Sequence, residues 1–374
     1  MPDQGHEPDF TLIPSAEKGF FSPDHLKQLP KMYAKGLGGA ALAVANHYVS
    51  REPAKDWPEP DRQLIKLKDH ERLILVTEPS PEACDDPDTA INDVLLPGLS
   101  EMDIGSALLL HKAKAERNKD RRVITIPTLG VSITGQVLSM REGYQRSLDE
   151  TAADNLELLP EITANGKTNL IGTSLGSYVS TLMAAQNLAA NGHSQINLDY
   201  INLIAPAVGA RNIPEGDKFH NVDAGDEEFI KEVTRRFFRH MPVDTARMAF
   251  NHPEMAAECV AVLGAYAMHL NKTPQRLAAM AGNLRGVQKG IDWEDLKDVA
   301  LGYEIHVLGG EKDPLMKEQI PQWSAIKVLA PQTQVRVLLG SGHALTIDSH
   351  GTAEHLAQME IQSERTKNPL KIVS

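Results

Sequence analysis

Short, wholly apolar segments alternate with helical patterns along most of this chain of 374 residues. Leu73–Val76 and Tyr200–Ile204 are two such segments, and between them Leu148, Ala152 and Leu156 recur every four residues, as on one face of a helix. A brief strand that is apolar throughout is typical of a parallel sheet buried on both faces. The alternation therefore predicts an α/β fold, with a mostly parallel twisted sheet and helices on both faces. Further strands are predicted at Val94–Leu96, Val123–Ile126, Asn169–Ile171, Ile305–Leu308 and Val335–Leu339.

The alternation stops between about Gly209 and Leu301, where no strand pattern is found, and it resumes after this stretch. Phe229, Val233 and Phe237 recur there at helical spacing, which predicts a helical block inserted between two strands. Near the N-terminus, Ser22–Pro23 resembles a helix start, and Arg51–Asp69 is typical of a charged connector. The predicted division is an N-terminal helical extension at 1–70, an α/β core at 71–208 and 301–374, and a helical cap insertion at 209–300.

Composition argues against several classes of function. The formal net charge of −12 argues against binding to nucleic acid and to anionic membrane surfaces. The uncharged run Gly36–Ser50 is shorter than the ~20 apolar residues of a membrane-spanning helix, so no stable membrane insertion is predicted. The two cysteines form no metal-binding pattern, and the first ten residues contain no signal-peptide pattern. We therefore predict a cytoplasmic protein; its oligomeric state is not predicted.

The segment that follows the Asn169–Ile171 strand reads Gly172-Thr173-Ser174-Leu175-Gly176. A G-x-S-x-G pattern between a strand and a helix is typical of a sharp turn that exposes a serine hydroxyl. Glycines on either side leave room for the strained backbone of such a turn. This pattern predicts that Ser174 is a nucleophile, provided that the chain also supplies a base and an acid.

Asp313 and His343 also follow predicted strands, in the segments G-G-E-K-D-P and G-S-G-H-A. Functional groups of a parallel α/β sheet collect in the loops at the carboxyl ends of its strands, so the three side chains are expected to meet there. Glu311 is the nearest substitute for Asp313 as the acid. The order serine, aspartate, histidine and these three segments make residues 70–365 similar to the α/β-hydrolase family, in particular to its capped, esterase-like serine hydrolases.

The resemblance implies a role for each of these residues. Ser174 would be the nucleophile, His343 its general base and later the general acid, and Asp313 the group that fixes the imidazole tautomer. The oxyanion hole would use the backbone N–H of Leu175 and that of Leu99, although the Pro127–Gly130 turn is a rival for the second donor.

The expected reaction is cleavage of a carboxylic ester of a small-molecule acyl substrate, with a thioester or an amide as alternatives. Neither a cofactor nor a metal is implied. Two other functions remain open at this stage: acyl transfer by the same three residues, and a non-catalytic binding protein on a hydrolase-like scaffold.

Overall fold

The computed structural model describes most of the predicted α/β core. The described residues are 11–13, 60–66, 71–98, 101–129, 138–190, 196–212, 289–311, 313–339, 341–343, 345–347 and 349–367, with isolated positions between 279 and 287. Most of the predicted cap, including residues 213–278, lies outside these residues, so the cap stays a prediction.

Nine of the described strands are β1 (Thr11–Ile13), β2 (Asp61–Lys66), β3 (Glu71–Thr77), β4 (Ile91–Leu96), β5 (Arg121–Thr125), β6 (Thr168–Thr173), β7 (Leu198–Ile204), β10 (Glu304–Gly310) and β11 (Gln334–Leu338). They form one mostly parallel sheet, in the order β1-β11-β10-β7-β6-β4-β5-β3-β2. Within this sheet, only the β5–β3 and β3–β2 pairs are antiparallel. This arrangement confirms the predicted fold class.

Helices cover both faces of this sheet. They are α1 (Glu101–Arg117), α2 (Met140–Gln145), α3 (Leu148–Ile162), α4 (Leu175–Ala189), α5 (Trp293–Gly302), α6 (Pro314–Leu329) and α7 (Ser349–Lys367). Short 3₁₀ turns occur at Pro87–Thr89 and Leu345–Ile347. None of the described helices is both long and apolar enough to cross a membrane.

Two apolar cores lie on opposite faces of the sheet, because side chains alternate along a strand. Leu170 of β6 belongs to the core formed with α3, α4, α5 and α6, and its neighbour Ile171 belongs to the core formed with α1 and α7. The central strands β4, β5, β6, β7 and β10 therefore contribute to both cores. The predicted apolar strands are apolar throughout because neither face meets water.

The N-terminal range differs from its prediction. Residues 1–70 were expected to be a helical extension, but their described parts, β1 and β2, are strands of the sheet. β2 pairs with β3 along its whole length, from Asp61 opposite Val76 to Lys66 opposite Glu71. The sequence assigned β2 to a charged connector, because it is an edge strand with alternating exposed side chains. The predicted helix start at Ser22–Pro23 lies outside the described residues, so the rest of the helical extension stays a prediction.

The two ends of the predicted cap range also contain structure that the sequence did not suggest. β8 (Ala210–Arg211) and β9 (Ile291–Asp292) form a short parallel pair, and α5 follows directly. Trp293 and Leu296 of α5 are buried in the same core as Leu170. This last part of the 209–300 range therefore packs on the sheet.

The helix predicted from Leu148, Ala152 and Leu156 is α3, and a separate short helix, α2, precedes it. Ser147 caps the start of α3: its Oγ accepts a hydrogen bond from the N–H of Glu150, whose carboxylate accepts one from the N–H of Ser147. This reciprocal cap begins a new helix. Tyr144 is left exposed at the end of α2.

Candidate active site

Ser174 lies at the turn between β6 and α4, at the carboxyl edge of the sheet. Its backbone has φ 52° and ψ −113°, an uncommon conformation for a residue with a side chain. A serine just before a helix usually accepts a hydrogen bond from the backbone of the first turn, but Ser174 makes no such bond. The hydroxyl is therefore not used to cap the helix.

Backbone hydrogen bonds hold this strained turn in place. The N–H of Ser174 donates to the carbonyl of Ile204 in β7 over 2.9 Å. The carbonyl of Ser174 accepts from the N–H groups of Ser177 and Ala207, over 3.0 and 3.3 Å. The turn is thus fixed by α4 and by the neighbouring strand, as a strained functional residue requires.

The two glycines of the motif are required by close backbone contacts. A Cβ atom on Gly172 would lie 2.5 Å from the carbonyl oxygen of Gly176. A Cβ atom on Gly176 would lie 1.9 Å from the carbonyl oxygen of Leu96, at the end of β4. Both distances are shorter than van der Waals contact, so neither position has room for a side chain.

Asp313 and His343 lie on the loops that follow β10 and β11. These loops pack backbone against backbone, because a Cβ atom on Gly310 would lie 2.3 Å from the carbonyl oxygen of Gly342 and 2.5 Å from that of Ser341. The N–H of Asp313 donates to the carbonyl of Gly310 over 3.0 Å, which forms a tight turn before α6. The sequence reasoning did not single out Gly310, although a glycine pair directly after a strand is a signal of close backbone approach.

The three side chains form one hydrogen-bonded chain. His343 Nδ1 lies 2.8 Å from Asp313 Oδ2, and His343 Nε2 lies 2.9 Å from Ser174 Oγ. An ionised carboxylate can only accept, so Nδ1 of a neutral imidazole carries the proton and donates to Asp313. Nε2 is then the acceptor, and the hydroxyl of Ser174 donates to it. The structure thus brings together all three residues that the sequence proposed.

Burial differs along this chain. The side chain of Asp313 is fully buried, that of His343 is 13% exposed, and Ser174 is partly exposed. The buried acid contacts an imidazole that reaches solvent, and the imidazole contacts the serine hydroxyl. A proton can therefore pass between the hydroxyl and the imidazole at the solvent-exposed end of this chain. Such an arrangement can remove the proton of a serine hydroxyl as the oxygen attacks.

Glu311, the substitute considered for Asp313, is exposed, and its N–H donates to the carbonyl of Leu338. The acid that contacts His343 in the structure is Asp313.

Of the two expected oxyanion donors, the structure describes Leu175 but not Leu99. Leu175 is the first residue of α4, where backbone N–H groups have no partner within the helix. Leu99 lies outside the described residues, so its role stays a prediction. In the rival turn, the Thr128 hydroxyl donates to the carbonyl of Gly98 over 3.1 Å, so the two candidate loops are in direct contact. Within the part of the chain that the structure describes, no three side chains of metal-binding type cluster together.

One known protein family matches most of this chain. The sequence model of the alpha/beta hydrolase family matches residues 94–355, which include all three side chains of the hydrogen-bonded chain. No curated protein sequence matches this chain.

Solved structures with similar folds share little sequence with the chain. A carboxylesterase of Nitrososphaera gargenis is 16% identical, with a TM-score of 0.52 over 82% of this chain and 100% of its own. The serine hydrolase CarC, involved in carbazole degradation, is 11% identical, with a TM-score of 0.52 over 81% and 99%. The Cif epoxide hydrolase of Acinetobacter nosocomialis is 13% identical, with a TM-score of 0.52 over 92% and 98%. At these identities the similarity is one of fold.

The family match covers well over half of the chain, and it includes the turn at Ser174 and the loops of Asp313 and His343. The chain belongs to the alpha/beta hydrolase family and is an enzyme of that kind.

Proposed function

We propose that this protein is a serine hydrolase that cleaves a carboxylic ester of a small-molecule substrate through an acyl-enzyme on Ser174. The observation that carries the proposal is the hydrogen-bonded chain from Ser174 through His343 to the buried Asp313. An isolated serine hydroxyl is barely ionised at neutral pH and needs an adjacent base to act as a nucleophile. His343 supplies that base, and Asp313 holds it with Nε2 toward the hydroxyl.

In the proposed reaction, Ser174 Oγ attacks the ester carbonyl while its proton moves to His343 Nε2. The carboxylate of Asp313 stabilises the imidazolium that forms, and the imidazolium then gives its proton to the leaving alcohol. A water molecule, deprotonated by His343, attacks the acyl-enzyme in the second half of the reaction. Asp313 stays ionised throughout.

The negative charge on the carbonyl oxygen needs hydrogen-bond donors as the tetrahedral intermediate forms. We assign this role to the N–H of Leu175 and to that of Leu99. The first lies next to Ser174 at the start of α4, where the helix dipole also favours negative charge. One such donor is typically worth about 3 kcal/mol of transition-state stabilisation.

Initial hydrolysis rates on a panel of p-nitrophenyl esters, from acetate to dodecanoate, test this proposal. We expect wild-type protein to hydrolyse part of the panel and Ser174→Ala to lose that activity by a factor of roughly 10⁶. Ser324→Ala is the matched control, because Ser324 Oγ donates to a carbonyl in the middle of α6, away from the proposed site, and is expected to retain wild-type rates. Equal rates for wild type and Ser174→Ala would exclude the proposed mechanism.

The same assay separates hydrolysis from acyl transfer. With a primary alcohol or an amine added as a second acceptor, a hydrolase releases mainly the free acid. A transferase diverts most of the acyl group to the acceptor. That result would mean that the acceptor, and not water, is the second substrate, while Ser174 remains the nucleophile.

A further inference from the structure

The turn after β5 carries a hydroxyl that contacts the loop after β4. β4 and β5 are neighbouring parallel strands with Leu95 opposite Thr125, so the loops that follow them leave the sheet at the same level. Thr128 Oγ1 lies 3.1 Å from the carbonyl oxygen of Gly98 and 3.4 Å from that of Pro97. The hydroxyl is therefore shared between two successive carbonyls of the β4 loop.

This β4 loop also packs against the turn that holds Ser174. The carbonyl oxygens of Leu96 and Pro97 lie so close to Gly176 that a Cβ atom there would be 1.9 and 2.7 Å away. A contact this tight between two backbones tolerates little relative movement. A group that fixes the β4 loop consequently also fixes its distance from the nucleophile.

The carbonyl of Gly98 belongs to the peptide that links Gly98 to Leu99. A trans peptide is planar, and its N–H points opposite to its C=O. A hydrogen bond that orients the Gly98 carbonyl thus sets the direction of the following N–H, which the sequence predicts as the second oxyanion donor. The Thr128 hydroxyl is therefore bonded to the peptide that carries this predicted donor.

The other side of the Thr128 turn is anchored to the sheet and to α3. Arg72 Nη2 donates to the carbonyl of Pro127 over 3.3 Å and to Asn155 Oδ1 over 3.1 Å. Burial, together with the charge of Arg146, lowers the pKa of Arg72 to about 10, so the guanidinium stays protonated at neutral pH. The turn is thus held from β3 and α3 on one side, while its threonine holds the β4 loop on the other.

We propose that Thr128 is a positioning residue, whose hydroxyl orients the Gly98 peptide and keeps the β4 loop against the nucleophile turn. The inference rests on the proposed function, since it concerns the rate of the same acyl transfer to Ser174. Losing the hydroxyl frees the peptide to rotate, so the transition state is stabilised less while the ester still enters the site. Small misplacements of this kind lower rates by roughly 10- to 100-fold.

The test compares Thr128→Val, which keeps the shape but removes the hydroxyl, with Thr128→Ser, which keeps the hydroxyl. Thr163→Val is the matched control, because the Thr163 hydroxyl also donates to a backbone carbonyl, that of Leu159 at the end of α3. Thr128→Ala is measured alongside, so that the comparison survives if the valine variant does not fold. For each protein, kcat and KM are determined for the p-nitrophenyl ester that wild type hydrolyses fastest, together with the pH profile of kcat and the thermal midpoint.

We expect kcat to fall roughly 10- to 100-fold in Thr128→Val and Thr128→Ala, with KM and the midpoint of the pH profile unchanged. Thr128→Ser should recover most of the rate, and Thr163→Val should match wild type. The inference is overturned if Thr128→Val is as fast as Thr163→Val, or if Thr128→Ser is as slow as Thr128→Val. If wild type itself hydrolyses no ester, the proposed function has failed and the inference falls with it. A fast wild type with an equally fast Thr128→Val overturns the inference alone.

Discussion

Two fully buried aspartates of this protein lie in contrasting surroundings. Asp313, at the carboxyl edge of the sheet, contacts the imidazole of His343 over 2.8 Å. Asp93, inside β4, lies 3.0 Å from Lys114 Nζ and 3.3 Å from Arg121 Nη1. Both carboxylates are out of water, and each has a basic partner. What distinguishes them is whether that partner can change its charge.

Around Asp93 the charges are permanent. Burial alone would raise the pKa of Asp93, but the charges of Lys114 and Arg121 outweigh it and hold the pKa well below its ordinary value. Glu360 of α7 completes the cluster, 2.7 Å from Arg121 and 3.5 Å from Lys114. Two cations and two anions thus join β4, α1, β5 and α7 in an electrically balanced group.

The imidazole beside Asp313 can gain or lose its charge. The imidazole is neutral or cationic depending on one proton, and it reaches solvent and the Ser174 hydroxyl on its other side. A buried carboxylate beside permanent cations stabilises a packing arrangement, whereas one beside an imidazole can stabilise a transient cation during a reaction. Burial of an acid alone therefore does not indicate a catalytic role.

The largest expected effect is on activity, from Asp313→Asn. The amide cannot hold His343 in the tautomer with Nε2 free to accept, so we expect kcat to fall by about 10⁴-fold. The thermal midpoint should stay near that of wild type, because no permanent charge is left unpaired. Ester hydrolysis and a thermal melt on the same sample measure both quantities. A large loss of stability with unchanged kcat would mean that Asp313 has a structural role and not a catalytic one.

Asp93→Asn should lower the stability of the protein and leave its activity unchanged. It leaves Lys114 and Arg121 with one carboxylate instead of two, and breaking a buried pair in this way costs about 3–5 kcal/mol of unfolding free energy. Activity per folded molecule should remain, since the cluster does not contact Ser174 or His343.

The control for Asp93→Asn is Asp199→Asn, which removes the acid of an ion pair whose lysine, Lys167, is half exposed. An exposed pair is worth less than about 1 kcal/mol. Urea unfolding of both variants measures the difference in unfolding free energy, and equal losses would mean that burial of the Asp93 cluster adds nothing.

The smallest effect is the pH dependence of the Asp93 contribution. A carboxyl whose folded pKa is depressed contributes stability that is fully present above its unfolded pKa of about 3.9 and is lost as pH falls toward the folded pKa. The difference in unfolding free energy between wild type and Asp93→Asn should therefore be constant above about pH 5 and shrink below about pH 4. Urea unfolding across this range measures it. A difference that grows on acidification would contradict the assigned sign.

The two regions also differ in how far the sequence predicts them. Ser174, Asp313 and His343 were predicted because each follows a short apolar strand, and the fold places such loops at one edge. The sequence already favoured Asp313 over Glu311, and in the structure Asp313 contacts His343 from a turn in which its N–H donates to the carbonyl of Gly310.

No comparable signal exists for the Asp93 cluster. Asp93, Lys114, Arg121 and Glu360 are scattered along the chain and follow no spacing pattern, so only the packing of α1 and α7 on the sheet brings them together. The same limit applies to Thr128, whose contact with Gly98 depends on two loops leaving neighbouring strands at the same level. β2 was not predicted for a different reason. An edge strand with exposed, charged side chains lacks the apolar pattern that identified the central strands.

Labelling with a fluorophosphonate probe tests the central claim, that Ser174 is a nucleophile whose activation by His343 depends on the buried Asp313. The probe forms a covalent bond with an activated serine, and peptide mass spectrometry identifies the labelled residue. We predict one label per folded chain on the peptide that contains Ser174, absent in Ser174→Ala, much slower in Asp313→Asn and unchanged in Asp93→Asn. Folded wild-type protein that takes up no label at Ser174, or a label rate that follows Asp93 instead of Asp313, would contradict the account.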